Sequence, residues 1–355
     1  MQAILKKSSP MLEQRRTTNL LLLIIAIPLV FYILNILSFI FVPLVGSMFI
    51  ALLFLPLMRW LGKRNVPRVV SIIIVLALIV LGVFIGVELV QLSSQQIMAS
   101  DSEFFTKAEV KINDLMAYLQ TEFGIAYNQE GNIVAQFFQK ENIGSTVDFI
   151  RKFLTTILMI IFFTVLWLAE SINMQKVLND TILTRKHTSV KTFIKIEKDL
   201  ITFIKVKFAV SLLTGIFTGL ACVFFDVSFP IFWGLFAFLI NFVQMVGSFI
   251  SVILLTIFAF VELESSSVLF FFVMAITGVQ VLFGAILEPV FMGKSFSINV
   301  IAVLFMLMLW GFIWGIPGLI MAIPITVFIK IILEQFPETK VMASLLSGSD
   351  RTLKR

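Results

Sequence analysis

Two stretches of this sequence run without a charge for longer than one membrane crossing requires. Ile231–Val261 is 31 residues free of Asp, Glu, Lys and Arg, and Ile298–Ile329 is 32. A membrane-spanning helix needs about 20 residues. Each run is therefore too long for one comfortable span and tight for two. Each is also interrupted near its centre, the first by Asn241, Gln244, Gly247 and Ser248, the second by Gly311, Gly315, Pro317, Gly318 and Pro324. Backbone freed by such breaks cannot face lipid, so it must pack on protein or line a watery cavity. Paired interruptions at corresponding places in two halves are where a transporter's solute site is expected.

Composition fixes the class around these runs. Hydrophobic residues make up 59% of 355 and charged residues 14%, with a mean hydropathy of +1.04. A soluble domain is about 25% charged. The runs are solidly apolar, where a transmembrane barrel would alternate. The reading is an all-α polytopic membrane protein of about eight transmembrane spans, each interrupted run being counted once. The net charge of +6 belongs to cytoplasmic loops and not to nucleic-acid binding. One cysteine, Cys222, excludes an intramolecular disulfide and a Cys-ligated metal cluster, and His187 is the one histidine. No Gly-Lys phosphate loop, Ser/His/Asp set or zinc-protease spacing is present, so ATP-driven transport and hydrolytic catalysis lack material. No cofactor, metal site or enzyme activity is expected.

In chain order, residues 1–90 read as a basic N-terminal tail and three spans, Leu20–Phe41, Leu44–Met58 and Val69–Val87. Pro43 and Gly46 are expected to turn the chain between the first two. Residues 91–150 form an insert with eight acids and three bases between Gln91 and Asp148. Ala108, Ile112, Leu115 and Leu119 recur there at helical spacing. Residues 151–207 hold a fourth span, Phe153–Ala169, and a loop rich in bases: Lys176, Arg185, Lys186, Lys191, Lys195, Lys198, Lys205 and Lys207. Residues 208–335 form the C-terminal membrane block, and 336–355 a tail. Basic loops stay inside. Both termini, Arg59–Arg68 and Ser171–Lys207 are thus expected in the cytoplasm, with the acidic insert outside. The rule does not say whether each interrupted run crosses once or doubles back, because both versions return the C-terminus to the same side.

Candidate site residues follow from the cost of polar groups in lipid. Asn241 and Gln244 lie one turn apart on one face of an apolar run. They line a pathway or form an interhelical hydrogen bond. Gly247 and Gly318 fall at equivalent places in the two halves. They mark half-helix ends that hold a solute, or close helix packing. Glu288, directly before Pro289, is the acid nearest the membrane phase. It is a proton or cation site, an interfacial cap, or the partner of Lys294. With Ser248 these make the expected path Asn241, Gln244, Gly247, Ser248 and Glu288. The expected hinges are Gly247, Gly315, Pro317, Gly318 and Pro289. Lys191, Lys195, Lys198 and Lys205 share a helical face suited to anionic lipid headgroups.

The stretch Gly284-Ala-Ile-Leu-Glu-Pro-Val-Phe-Met-Gly293-Lys-Ser, followed by Gly311-Phe-Ile-Trp-Gly-Ile-Pro-Gly-Leu-Ile-Met-Ala-Ile-Pro324, resembles the signature of the autoinducer-2 exporter family of bacterial membrane proteins. Asn241 to Gly247 is similar to that family's Asn-x-x-Pro-x-x-Gly break, with Gln244 where the family usually has proline. The resemblance covers nearly the whole chain. It implies a secondary permease of the bacterial inner membrane, in a homo-oligomer. It also implies a cargo, either a small polar quorum-sensing signal or sodium or lithium exchanged for protons. Three functions are therefore expected to compete: export of a small polar molecule by alternating access; cation/proton exchange with Glu288 as the coupling carboxylate; and a non-transporting membrane scaffold whose acidic insert recruits a partner. Membrane lipids are partners in all three, and nucleic acid in none.

Overall fold

The computed structural model describes residues 10–99, 110–111, 155–170, 188–243, 246–292, 299–335 and 339–346. Within them every regular element is helical: α1 (Pro10–Ile36), α2 (Ser38–Lys63), α3 (Arg68–Ala99), α4 (Thr155–Glu170), α5 (Thr188–Phe224), α6 (Pro230–Ile240), α7 (Val246–Glu262), α8 (Ser266–Gln280), α9 (Val300–Gln335) and α10 (Lys340–Leu346). After α8 the chain continues through a π-helical stretch, Val281–Leu287, into a short α-helical end, Glu288–Met292. Among the described residues five helices are long and apolar enough to cross a membrane. They are α2, the Arg68–Gln96 part of α3, the Ile194–Phe224 part of α5, Ser266–Met292 and the Val300–Glu334 part of α9. Ile24–Ile36, Thr155–Glu170, Pro230–Ile240 and Val246–Glu262 are shorter apolar helices.

The first turn is not where the sequence suggests. Pro43 and Gly46 lie inside α2, and the chain turns at Leu37. Proline is tolerated in membrane helices because neighbouring groups re-satisfy the freed backbone. Ser47 Oγ donates to the Leu44 carbonyl in that stretch. Gly46 serves packing: a Cβ there would stand 3.0 Å from Met321 Cε. The third helix likewise runs past Glu88 to Ala99. Of the acidic insert beyond it, Val110 and Lys111 are described and helical. The rest of its expected helical pattern lies outside the described residues.

The first interrupted run doubles back. The main-chain N–H of Ser228, before α6, donates to Glu262 Oε2 at the end of α7 (2.9 Å), and the Ser228 hydroxyl bonds Oε1. The rings of Phe229 and Phe258 lie 5.6 Å apart, and those of Trp233 and Phe258 5.1 Å. Both ends of the α6–α7 hairpin are thus together, at the Phe224 end of α5. Its tip is tight because Gly247 lies against the Ile240 carbonyl, where a Cβ would come within 1.9 Å of the oxygen. At 1.5 Å per residue the 11-residue α6 extends about 16 Å, roughly half the apolar thickness of a bilayer.

The second run doubles back as well. Gly315 has φ 63° and ψ −139°, a left-handed conformation natural to glycine. It divides α9 into two arms. A Cβ on Gly318 would lie 1.9 Å from the Trp310 carbonyl oxygen. Eight residues of straight helix would separate these positions by about 12 Å. Pro317 then opens the second arm, where its missing N–H is least costly. Asn35 caps the break by donating to the Ile313 carbonyl (2.7 Å), and Trp314 Nε1 donates to the Leu34 carbonyl (2.9 Å). This tip therefore sits at the Leu37 end of α2. The other end of α2 meets α5 through the Arg59–Glu197 ion pair. The two hairpins enter the bundle from opposite ends, and α5 packs against both.

Candidate functional site

The first hairpin lies along α5 through glycines. A Cβ on Gly215 would come within 2.7 Å of the Gly234 carbonyl, and one on Gly219 within 3.1 Å of the Pro230 carbonyl. This close, antiparallel contact brings the hairpin tip to the middle of α5. There Asn241, 3% exposed, donates through Nδ2 to Ser211 Oγ at 3.0 Å. One turn earlier on the same helix, Lys207 Nζ donates to both carboxylate oxygens of Glu288, each at 3.0 Å. Both residues are 3% exposed.

Glu288 reaches this position through irregular backbone. Its N–H bonds the Phe283 carbonyl five residues back, closing the π-helical stretch. Pro289 follows with no N–H to return the helix to the ordinary ladder. Such π-turns recur at functional sites. Gly284 in the same stretch faces the tip: its Cβ position is 3.6 Å from Ser248 Oγ. Asn241, Gly247 and Ser248 of the tip thus adjoin Ser211 and Gly284, each about one helical turn from a member of the Lys207–Glu288 pair. Gln244 lies outside the described residues, as do Gly293 and Lys294.

The cation facing Glu288 is Lys207, which its place in the sequence groups with the cytoplasmic bases. Helix α5 runs unbroken through that boundary. The signal for Lys207 is spacing: Lys207, Ser211, Thr214 and Thr218 recur at i, i+4, i+7 and i+11, one stripe of a helix. All four are buried. Burying two charges costs several kcal/mol per ion, offset only by close pairing. The arrangement is a net-neutral charge pair with hydrogen-bonding groups of Asn241, Ser211 and Ser248 beside it. Such a set can hold a small polar solute by hydrogen bonds, or exchange one cation for another at the carboxylate.

The expected hinges are dispersed. Gly247 forms the first tip, Gly315, Pro317 and Gly318 the second, and Pro289 follows the π-helical stretch. Lys195, Lys198 and Lys205 are exposed on α5, and Lys191 lies in its first turn.

Two broken hairpins entering from opposite ends, the first with its tip at a buried polar centre, are an architecture suited to a polytopic helical membrane transporter. The sequence pattern of the family described as "AI-2E family transporter" matches residues 21–338. The chain belongs to that family. It is 25% identical over 315 residues to a "Putative transport protein" of Haemophilus influenzae, covering 86% of this chain and 89% of the relative. It is 23% identical over 316 residues to the AI-2 transport protein TqsA of Escherichia coli (strain K12), covering 88% and 90%. A "Putative transport protein" of Borreliella burgdorferi is 33% identical over 150 residues, 42% of this chain and 41% of the relative.

Proposed function

We propose that this protein is a secondary permease of the bacterial inner membrane that exports a small, polar, uncharged molecule by alternating access. The Lys207–Glu288 pair, with Asn241 and Ser248, forms its solute site. The observation that carries this reading is the pair itself. Both oxygens of Glu288 are already held by a tethered ammonium. A transported cation would have to displace Lys207, whereas a neutral solute can exchange hydrogen bonds with the pair without leaving a bare charge. The name of TqsA makes an autoinducer-2-type furanosyl molecule the first probe. The bases of Arg59–Arg68 and the start of α5 support a cytoplasmic position for the Arg59–Glu197 end. The hairpin α6–α7 then opens to the outside and α9 to the inside. We propose a homo-oligomer, with lipid or a second copy on the exposed Ile301, Phe305, Met308 and Phe312 of α9.

A second reading is favoured by Glu288 itself, a buried carboxylate at a hairpin tip: sodium or lithium exchange for protons. Proteoliposomes of purified protein separate the two. One set carries a labelled furanosyl signal; the other a sodium or lithium gradient with a pH dye. Signal flux indifferent to cations supports the permease. A cation-dependent pH change without signal flux supports exchange. Silence in both would count against transport of either class and leave the scaffold reading.

A further inference from the structure

The buried stripe of α5 does not stop at the Lys207–Glu288 pair. Beyond Ser211 and Thr214 it reaches Thr218, 1% exposed, and ends at Cys222, 0% exposed. On α8 and the π-helical stretch and short helix that continue it, the matching line is Phe272, Ile276, Gln280, Phe283 and Glu288, each 6% exposed or less. The two lines face each other. Lys207 bonds Glu288, and the rings of Phe225 and Phe272 lie 5.6 Å apart. Phe217 and Phe283 are 5.1 Å apart between them. Thr218 shares its face of α5 with Lys207, 11 residues away, and is in line with Phe225 in the turn just past the helix, 7 residues away, both close to whole numbers of turns. Gln280 lies one turn before Phe283, and Thr218 directly follows Phe217, whose ring meets that of Phe283.

On these two lines, Thr218 and Gln280 carry the unpartnered polar atoms. The hydroxyls of Thr164, Thr202, Thr214 and Thr326 each donate to the carbonyl four residues back. The Thr218 hydroxyl does not. Its Oγ1 and the Gln280 Oε1 are buried without a hydrogen-bond partner among the described residues. Orphaned polar atoms in a lipid-embedded bundle are costly, and buried polar groups of this kind are satisfied by ordered water. Toward the Phe224 end the same seam turns apolar: Cys222, Trp233, Leu255, Phe272 and Ile276 pack as one cluster.

We infer that Thr218 and Gln280 form a buried water-binding site on the solute path, between the Lys207–Glu288 pair and the Phe224 end of α5. The apolar cluster around Cys222 closes that path in this structure. The path rests on the permease reading; the hydration of the site does not.

The test is thiol chemistry on the full chain in vesicles. Cys222, the one native cysteine, is replaced (Cys222→Ser), and Thr218→Cys or Gln280→Cys is added singly. N-ethylmaleimide is small and membrane-permeant, and it reacts with the thiolate, which forms in water and not in hydrocarbon. Leu220→Cys, on the 55% exposed lipid-facing side of α5, and native Cys222 in its apolar cluster are the slow references. Thr218→Cys and Gln280→Cys are expected to react at least about tenfold faster than both references. Reaction at the reference rate by either would overturn the site. Thr218→Cys is nearly isosteric, so it decides alone if Gln280→Cys fails to run as a single species on gel filtration. Labelling needs no transported solute. Fast labelling with silent flux would sink the permease and the path while leaving the hydrated site, and slow labelling with measured flux would sink the site alone.

Discussion

Lys207 and Glu288 exchange full hydration for each other, and the exchange is poor value as stability. Replacing a buried pair by apolar residues of similar volume is often neutral or stabilising, while removing one partner costs about 3–5 kcal/mol. The single changes Lys207→Met and Glu288→Leu are therefore expected to lower the melting temperature clearly. The double change should restore it. If the double variant melts as low as either single one, the pair is chiefly a structural strut. Gly315 offers a second test at this scale. Nothing lies within 4 Å of its Cβ position, so Gly315→Ala meets backbone strain and no clash. The cost expected is about 1–3 kcal/mol, read as a lower midpoint in thermal unfolding. An unchanged midpoint would mean that the turn is held less firmly than its φ implies.

The hairpins are the elements that position the site, and their tips are closed by backbone contact. Gly247 and Gly318 each leave room for a carbonyl where a Cβ would stand 1.9 Å from oxygen. Gly247→Ala and Gly318→Ala must therefore open the tips. Each is expected to destabilise by about 1–3 kcal/mol or more, as overpacking does. Gly62, near the end of α2, is the control, with nothing within 4 Å of its Cβ position. Gly62→Ala should be neutral or stabilising by up to about 1 kcal/mol. Equal melting temperatures for all three variants would contradict the tight tips. The sequence shows where these hairpins break but not that they fold back. Length and hydropathy cannot distinguish a broken crossing from a hairpin. The distinguishing contacts, Ser228 with Glu262 and Trp310 with Gly318, join residues whose proximity no local pattern encodes.

Across the whole molecule, the all-helical membrane class is legible in sequence, and Asn241, Gly247, Ser248 and Glu288 stand out there because polar or flexible residues are costly in an apolar run. Lys207 is not, because a lysine at the edge of a basic loop has the composition of a solvated one. Only its register with Ser211, Thr214 and Thr218 sets it apart. The first turn is misplaced for a related reason: Pro43 and Gly46 are turn formers in water and packing residues in a bundle. The acidic insert touches the membrane block at Lys111. Its Nζ donates to the Phe260 and Leu263 carbonyls at 2.7 and 2.8 Å, holding the Glu262 end of α7. Lys111→Met should speed amide hydrogen exchange in the last turn of α7 while α3 stays unchanged. Unaltered exchange there would show that the insert does not brace the hairpin.

On this reading the buried pair exists for transport and not for folding. This is tested most directly by flux of a labelled furanosyl signal in proteoliposomes, comparing wild type with the Lys207→Met/Glu288→Leu double variant. The double variant is expected to be well folded, with a melting temperature at or above wild type, while its flux falls at least about tenfold, the loss of roughly 1.4 kcal/mol of transition-state stabilisation or more. A double variant that is equally stable and transports at the wild-type rate would contradict this reading.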